Sequence, residues 1–282
     1  PLEKYKTKCL NEDNYAFVPI LRAGMSMVDG ILRVIPNAKI GQNVTIYPFV
    51  YIDDDVVVGD DCVLYPNVSL MNGTRLGKRN KVHQNTVISA IPQDFHYRGE
   101  NTICEIGEGN IIRENVVISR ATYLEGKTLI GNRNFIMEGV HISHDVHVGN
   151  ENVLGYGTKI AGDVEIHNYV IFSSGVIANP GVRVGDCSMI QSGCRFSKDV
   201  PPYIVAGSHP IRYGGINGFV IDLGGISEKI KSHIANAYRL VFHGQDDILN
   251  ACIQIEQQVQ SSPEIDKIVK FLKTSKLGII GK

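Results

Sequence analysis

Stepping along the chain by six from Ile40 meets Ile46, Ile52, Val58, Leu64, Leu70, Leu76, Val82 and Ile88, every one aliphatic. Two places before each stands a residue that is mostly small or β-branched: Ala38, Val44, Val50, Val56, Cys62, Val68, Thr74, Asn80 and Thr86. The phase lapses at Asp94 and Glu100. It resumes at Ile106 and runs through Ile112, Ile118, Leu124, Ile130, Ile136, Ile142, Val148, Leu154, Ile160, Ile166, Phe172, Ala178, Val184 and Ile190 to Phe196. A helix of period 3.6 would not space apolar groups six apart, and a half-buried strand would alternate by two. A hexad with one large inward aliphatic, one small inward residue and a polar corner makes one side of a triangular coil. Three hexads close a turn, and stacked turns bury an aliphatic column that no single turn can bury alone. Gly41, Gly59, Gly77, Gly131, Gly149, Gly155 and Gly185 fall at the corners, where they are expected to supply unusual dihedrals. The pattern predicts a mainly β chain, a parallel β-helix over residues 35–204, whose open ends need caps.

Three segments leave the pattern. Residues 89–105 form an excursion, aromatic and charged rather than Gly/Ser-rich, which makes it a functional element of a rigid scaffold. After Phe196, Asp199-Val-Pro-Pro-Tyr203 ends the coil, and residues 205–282 form a linker and a C-terminal α-helical domain. There Ser227 caps a helix running through Ile230, Ile234, Ala237 and Leu240 to Gly244. A second helix covers Asp246–Val259, and a third starts at Pro263 after Ser262, its apolar face Ile265, Ile268, Val269 and Leu272. Lys229, Lys231, Arg239, Lys267, Lys270 and Lys273 make this tail locally basic, either a solvated surface or a docking surface. Residues 1–34 carry no hexad phase and are expected to cap the prism, as a strand and a helix.

Composition narrows the class. Lys and Arg number 28 against 29 Asp and Glu, a net charge of −1, which gives no case for nucleic acid. Pro1 to Leu10 has no apolar signal-peptide core, and no apolar run is long enough to cross a bilayer. Cys9, Cys62, Cys104, Cys187, Cys194 and Cys252 show no CxxC spacing, so they read as reduced thiols of a cytoplasmic protein.

Six motifs then carry a resemblance: Ile91-Pro-Gln-Asp-Phe-His-Tyr-Arg-Gly-Glu100, Ile112-Arg-Glu-Asn-Val-Val-Ile-Ser-Arg120, His141-Ile-Ser-His-Asp145, Asp199-Val-Pro-Pro-Tyr203, Asn217, and Ile234-Ala-Asn-Ala-Tyr-Arg-Leu240. From Ile35 to about Phe271 the chain resembles the acyl carrier protein-dependent UDP-N-acetylglucosamine O-acyltransferases, hexapeptide-repeat enzymes of the first step of lipid A synthesis. The resemblance implies a left-handed coil, a hand that counting cannot supply. It also implies a homotrimer with clefts between subunits, acyl carrier protein and UDP-N-acetylglucosamine as partners, and no metal or organic cofactor beyond the carrier thioester.

Acyl transfer to a sugar hydroxyl needs a base, an oxyanion donor and a groove for the chain. His144, two places past the inward Ile142, lies near a corner where its ring can leave the core. The resemblance makes it the general base, with Asp145 supporting the imidazolium. One coil on from His144 is Gly162, a residue without a side chain to hide its N–H, and the resemblance makes it the oxyanion donor. Asp94 and Gln93 resemble sugar contacts, His141 a sugar or phosphate contact and Asn217 a further substrate contact. Ser192 stands where the family limits acyl length. The chain departs from the family at His96, usually lysine, and at Asp163, usually histidine. It departs also at Asn179 and Pro180, often His-Gln, and at Leu223 and Gly224, usually arginines. Losing cationic and hydrogen-bonding groups weakens grip on a diphosphate.

Two other readings are open. The same prism serves zinc carbonic anhydrases, but ligands on stacked coils should recur one turn apart. One turn from His141 lie Tyr123 and Lys159, from His144 Gly126 and Gly162, and from His147 Leu129 and Glu165, none of them histidine. A weakened or non-catalytic binding scaffold is the second. Residues 17–32 separately resemble a fragment of uracil phosphoribosyltransferase, without that family's phosphate loop.

Overall fold

Three parallel sheets form the sides of a prism around one aliphatic column. The computed structural model describes residues 37–244 and 247–281, so the expected cap at residues 1–34 lies outside them. The first sheet stacks eight strands from Lys39–Ile40 to Arg183–Val184, and the third stacks eight from Tyr51–Ile52 to Arg195–Phe196. The second has ten, from Thr45–Ile46 through Met189–Ile190 into Ile204–Gly207 and Arg212–Ile216. Most strands are two residues long because the chain turns a corner after every hexad. Each pairs in register with the strand one turn on, as Ile142 does with Ile160 and Val148 with Ile166. The coil is a left-handed parallel β-helix, and α-helices complete the C-terminal part. The inward apolar residues from Ile52 to Phe196 are buried, with one exception below, and each one larger than Ala178 is worth about 1.5–3 kcal/mol of transfer free energy.

The small inward positions carry an asparagine ladder that reveals where the turns lengthen. Asn80 Oδ1 accepts the Asn110 N–H, Asn110 Oδ1 that of Asn134, and Asn134 Oδ1 that of Asn152, each at 2.8 Å. The sequence separations are 30, 24 and 18 residues. Two turns therefore hold excursions, of twelve and of six extra residues. The first is the loop 91–102, shorter than the sequence indicated because Val87–Ala90 and Ile103–Ile106 continue as strands. The second, residues 120–126, lies between Val117–Ser119 and Lys127–Ile130. It adds one whole hexad to its turn, so the phase passes through it unchanged. Leu124, in phase with the core, is instead 71% exposed, and Ile130 takes the inward place.

The corner glycines act differently from the expectation. The positive φ angles fall two residues later, on Asn43, Asp61, Arg79, Arg133 and Glu151. A Cβ at Gly131 would stand 2.4 Å from Gly149 O, and one at Gly59 2.6 Å from Gly77 C. These glycines allow close stacking of successive turns rather than a special dihedral.

The stretch read as a linker carries strands. Ile204–Gly207 runs parallel to Met189–Ile190, and Arg212–Ile216 turns back antiparallel against it. A short helix, α1 (Gly218–Leu223), follows; no cap or periodic pattern in the sequence announced it. The longer helices are α2 (Glu228–His243), α3 (Ile248–Gln258) and α4 (Pro263–Lys273), capped by Ser227, Asp247 and Ser262. The second of these starts two residues later than expected because Asp247 accepts the Asn250 N–H. The two motifs flanking this region are joints. The buried Tyr238 hydroxyl of α2 donates to Pro202 O at 2.6 Å, and buried Asp199 accepts from Arg183 and from the Ser275 hydroxyl. Ile279 bridges Asp199 and Gly281 bridges Arg212, so the chain's last described residues pair with the end of the coil.

Candidate active site

The strand His141–Ile142 sends Ile142 into the core, and the chain then turns the corner that carries His144 and Asp145. The His144 side chain is only 10% exposed. Its Nδ1 lies 2.9 Å from Asp145 Oδ2, and its Nε2 lies 3.3 Å from Asp94 Oδ2. Asp145 has φ of 58°, a conformation an aspartate tolerates at a tight corner. Its N–H donates to Thr128 Oγ1, and its Oδ2 accepts the Thr122 N–H, both at 3.0 Å. An ionised carboxylate can only accept, so Nδ1 carries a proton toward Asp145, while Nε2 faces the Asp94 carboxylate.

Asp94 comes from the loop 91–102. Its Oδ1 accepts the His96 N–H at 2.6 Å and lies 2.8 Å from His96 Nδ1. These two bonds, aided by the His144 and His96 rings, hold the Asp94 carboxyl below the usual carboxylate range.

One turn above, Gly162 lies against the imidazole. A Cβ there would stand 2.4 Å from His144 Cε1 and 2.7 Å from Nε2. The ring itself therefore requires glycine. Gly162 O accepts the Gly181 N–H, whereas the Gly162 N–H has no hydrogen-bond partner among the described residues. Asp163 donates its N–H to His144 O at 3.2 Å, and burial, then the Asp145 charge, push its carboxyl up. Burial, then the Asp163, Asp94 and Asp145 charges, likewise raise the Tyr123 hydroxyl. The sequence reading gave Tyr123 no role, because the hexad-long excursion that carries it leaves no trace in the phase.

The arrangement sets together an imidazole, a carboxylate on its Nδ1 and a glycine whose N–H has no partner among the described residues. Comparison with known proteins places the chain in a family. Residues 199–280 match the model for domain 2 of UDP-N-acetylglucosamine O-acyltransferase, and residues 37–70 and 127–162 match bacterial transferase hexapeptide repeats. The chain is similar to the acyl-[acyl-carrier-protein]–UDP-N-acetylglucosamine O-acyltransferase of Syntrophobacter fumaroxidans, 33% identical over 80% of this chain and 93% of that protein. It is 36% identical to the enzyme of that name from Chlamydia abortus, over 86% of this chain and 88% of the other. The chain belongs to the UDP-N-acetylglucosamine O-acyltransferase family. It is an O-acyltransferase.

Solved members of the O-acyltransferase family superpose closely. LpxA from Bacteroides fragilis gives a TM-score of 0.86 at 46% identity, covering 88% of this chain and 97% of that one. LpxA from Acinetobacter baumannii gives 0.85 at 31%, covering 88% and 96%. Residues 1–47 also match uracil phosphoribosyltransferase. The last part of that match forms the first coil strands, Lys39–Ile40 and Thr45–Ile46; residues 1–36 lie outside the described ones.

Of the residues the O-acyltransferase resemblance singles out, one chain brings Asp94, His144, Asp145 and Gly162 together. Gln93 is exposed on the loop beside Asp94. His141 is half-buried on the outer face of the third sheet, where burial and then Lys159 hold its ring below the usual imidazole value. Its ladder neighbours are Val117 and Lys159, so the second excursion replaces the expected Tyr123. Ser192 is exposed and follows Met189–Ile190, at the corner between the second and third sheets rather than the corner of His144. Asn217 is buried and holds the end of the coil. Its N–H donates to Tyr203 O at 2.7 Å and its Nδ2 to Cys187 O at 2.9 Å.

Proposed function

We propose that the chain transfers a (3R)-3-hydroxyacyl group from its acyl carrier protein to the 3-hydroxyl of UDP-N-acetylglucosamine, with His144 as general base. The observation that carries this reading is the His144 ring, backed on Nδ1 by Asp145 and packed against Gly162, whose N–H has no partner among the described residues. Nε2 takes the proton of the sugar hydroxyl as its oxygen attacks the thioester carbonyl. The tetrahedral oxyanion accepts from the Gly162 N–H. Collapse breaks the carbon–sulfur bond, and the imidazolium returns its proton to the leaving pantetheine sulfur. Asp145 keeps the imidazole in the one useful tautomer and offsets its transient charge. Asp94, ionised and facing Nε2 in the free chain, accepts from sugar hydroxyls when substrate displaces that contact. Gln93 and His141 supply flanking sugar or phosphate contacts.

Ser192 and Asn217 lie on parts of the prism that one chain does not turn toward His144. A homotrimer would set one subunit's Ser192 corner beside another's His144 corner, which supports clefts between subunits. No metal or organic cofactor enters this chemistry. The carrier is an acidic protein that suits the basic tail. Lys231, Lys267 and Lys273 are engaged by Asp222, Asp186 and Glu256, so the docking charges are Lys229, Arg239 and Lys270. No helix among the described residues is long and apolar enough to cross a membrane, in keeping with a cytoplasmic enzyme.

Mass spectrometry of products tests the reading, with purified protein offered UDP-N-acetylglucosamine and hydroxyacyl carrier thioesters of several lengths. The expected product is a singly O-hydroxyacylated sugar nucleotide. Absence of product at every length, with bound nucleotide detected by calorimetry, would favour a binding scaffold instead.

A further inference from the structure

The loop 91–102 carries Asp94 but has few means of its own to hold shape. Its internal bonds are short-range: His96 N–H to Asp94, Tyr97 N–H to Asp94 O, and Arg98 N–H to Glu100 Oε2. What fixes it to the prism comes from the second excursion. The Arg120 N–H donates to Ala90 O at 3.0 Å, just before the loop leaves the coil. The Thr102 hydroxyl, where the loop returns, donates to Ala121 O at 2.5 Å. Two consecutive residues thus tie both feet of the loop.

The Arg120 side chain reaches further. Nη1 donates to Asn72 O at 3.0 Å and Nη2 to the Tyr97 hydroxyl at 2.7 Å. Its guanidinium carbon stands 5.6 Å from the Tyr97 ring centroid, within cation–π range. Tyr97 passes the contact on, its hydroxyl donating to Glu100 O at 3.1 Å. Tyr97 N–H in turn donates to Asp94 O at 3.3 Å. The planar fork of arginine suits this bridge between a carbonyl and a phenol; a lysine ammonium would lose the fork's fixed geometry. Arg120 Nε is buried without a partner among the described residues, a cost retained where the geometry of the fork is needed. Two residues on, the Thr122 N–H holds Asp145.

We infer that Arg120 is a positioning residue for acyl transfer, clamping the loop 91–102 through Tyr97 so that Asp94 stands at Nε2 of His144. One inserted hexad then places both carboxylates, Asp94 through Arg120 and Asp145 through Thr122, on opposite nitrogens of the same ring. The role of Asp94 in this inference rests on the function proposed above; the clamp does not.

The test is a double-mutant cycle on the full chain, with wild type, Arg120→Ala, Asp94→Asn and the double variant. Arg120→Ala raises KM for UDP-N-acetylglucosamine on the order of 10-fold and leaves KM for the carrier thioester within about 2-fold. In the Asp94→Asn background the same change adds less than about 2-fold, because the clamp has nothing left to place. Additive effects, or a fall in kcat alone in proportion to lost folded enzyme, would overturn the inference. Tyr97→Phe removes both bonds of the hydroxyl, from Arg120 and to Glu100 O, keeps the ring, and gives the same pattern more weakly. Hydrogen–deuterium exchange over residues 91–102 needs no turnover. It quickens in Arg120→Ala and not in Asp94→Asn. If the wild type transfers no acyl group, the function proposal fails, and exchange alone decides the clamp: unchanged exchange in Arg120→Ala would refute it.

Discussion

The Cβ that Gly162 lacks would lie 2.4 Å from Cε1 of His144, closer than any side chain can stand to a ring atom. Gly162→Ala therefore has to push the imidazole out of its seat. Overpacking of this kind costs about 1–3 kcal/mol, and misplacing His144, the proposed base, costs on the order of 100-fold in kcat. Initial rates beside a thermal melt check this: a variant that melts near wild type yet turns over normally would contradict the contact.

Asp145→Asn keeps the shape of the side chain and changes what it can do. The amide oxygen can still accept from the Thr122 N–H and from Nδ1, but it carries no charge to offset the imidazolium that forms when Nε2 takes the hydroxyl proton. The kcat at saturating substrates falls on the order of 10²- to 10⁴-fold, with KM values little changed. Raising the pH will not restore it.

Leu124 and Leu154 share one phase in the sequence and opposite fates in the fold. Leu124 is 71% exposed in the second excursion, and Leu154 is fully buried. Leu124→Ala costs within about 0.5 kcal/mol, whereas Leu154→Ala costs about 2–5 kcal/mol. Urea titrations of the two variants measure both figures, and equal costs would place Leu124 back in the core.

A pH dependence follows from the contact between α4 and the coil. Asp186 ends a second amide ladder and meets Lys267 Nζ at 2.9 Å. Burial pushes its carboxyl up, but the Lys267 ammonium and the Asn168 amides outweigh this and hold it below the ordinary value. A carboxyl depressed in the folded chain stabilises it fully above the unfolded value, near 3.9, and that contribution is lost as pH falls through the folded value. Lys267→Met removes part of the depression. Its thermal midpoint is lower than wild type at pH 7, and the gap narrows on acidification below about pH 4. A gap that stays constant would show that the pair contributes no linkage.

How much of this was legible in the sequence depends on what each residue's signal was. The coil was, because burial of a column imposes a strict spacing from Ile52 to Phe196. The caps at Ser227 and Ser262 were, because hydroxyl side chains at helix starts have a local cause. His144 and Gly162 could be placed because the turns between them are regular. Residues 120–126 could not, because an insertion of one hexad preserves the phase that counting reads. That single blind spot hid Thr122 and Tyr123, left Arg120 as the last residue of a motif without a role, and gave His141 the wrong neighbour. The corner glycines were found and misread, since a sequence does not distinguish a dihedral that needs glycine from a neighbouring backbone that does. The strands at 204–216 lack alternation, as Gly207, Gly214 and Gly215 leave no apolar face to follow. Asn217 was marked by its motif, yet its amide is used within the fold.

The most direct measurement is the initial rate of hydroxyacyl transfer to UDP-N-acetylglucosamine by purified wild type and His144→Ala at saturating carrier thioester. With His144 as the base, the variant keeps its nucleotide affinity and loses on the order of 10²-fold or more in kcat. A His144→Ala protein that transfers at the wild-type rate would contradict the account.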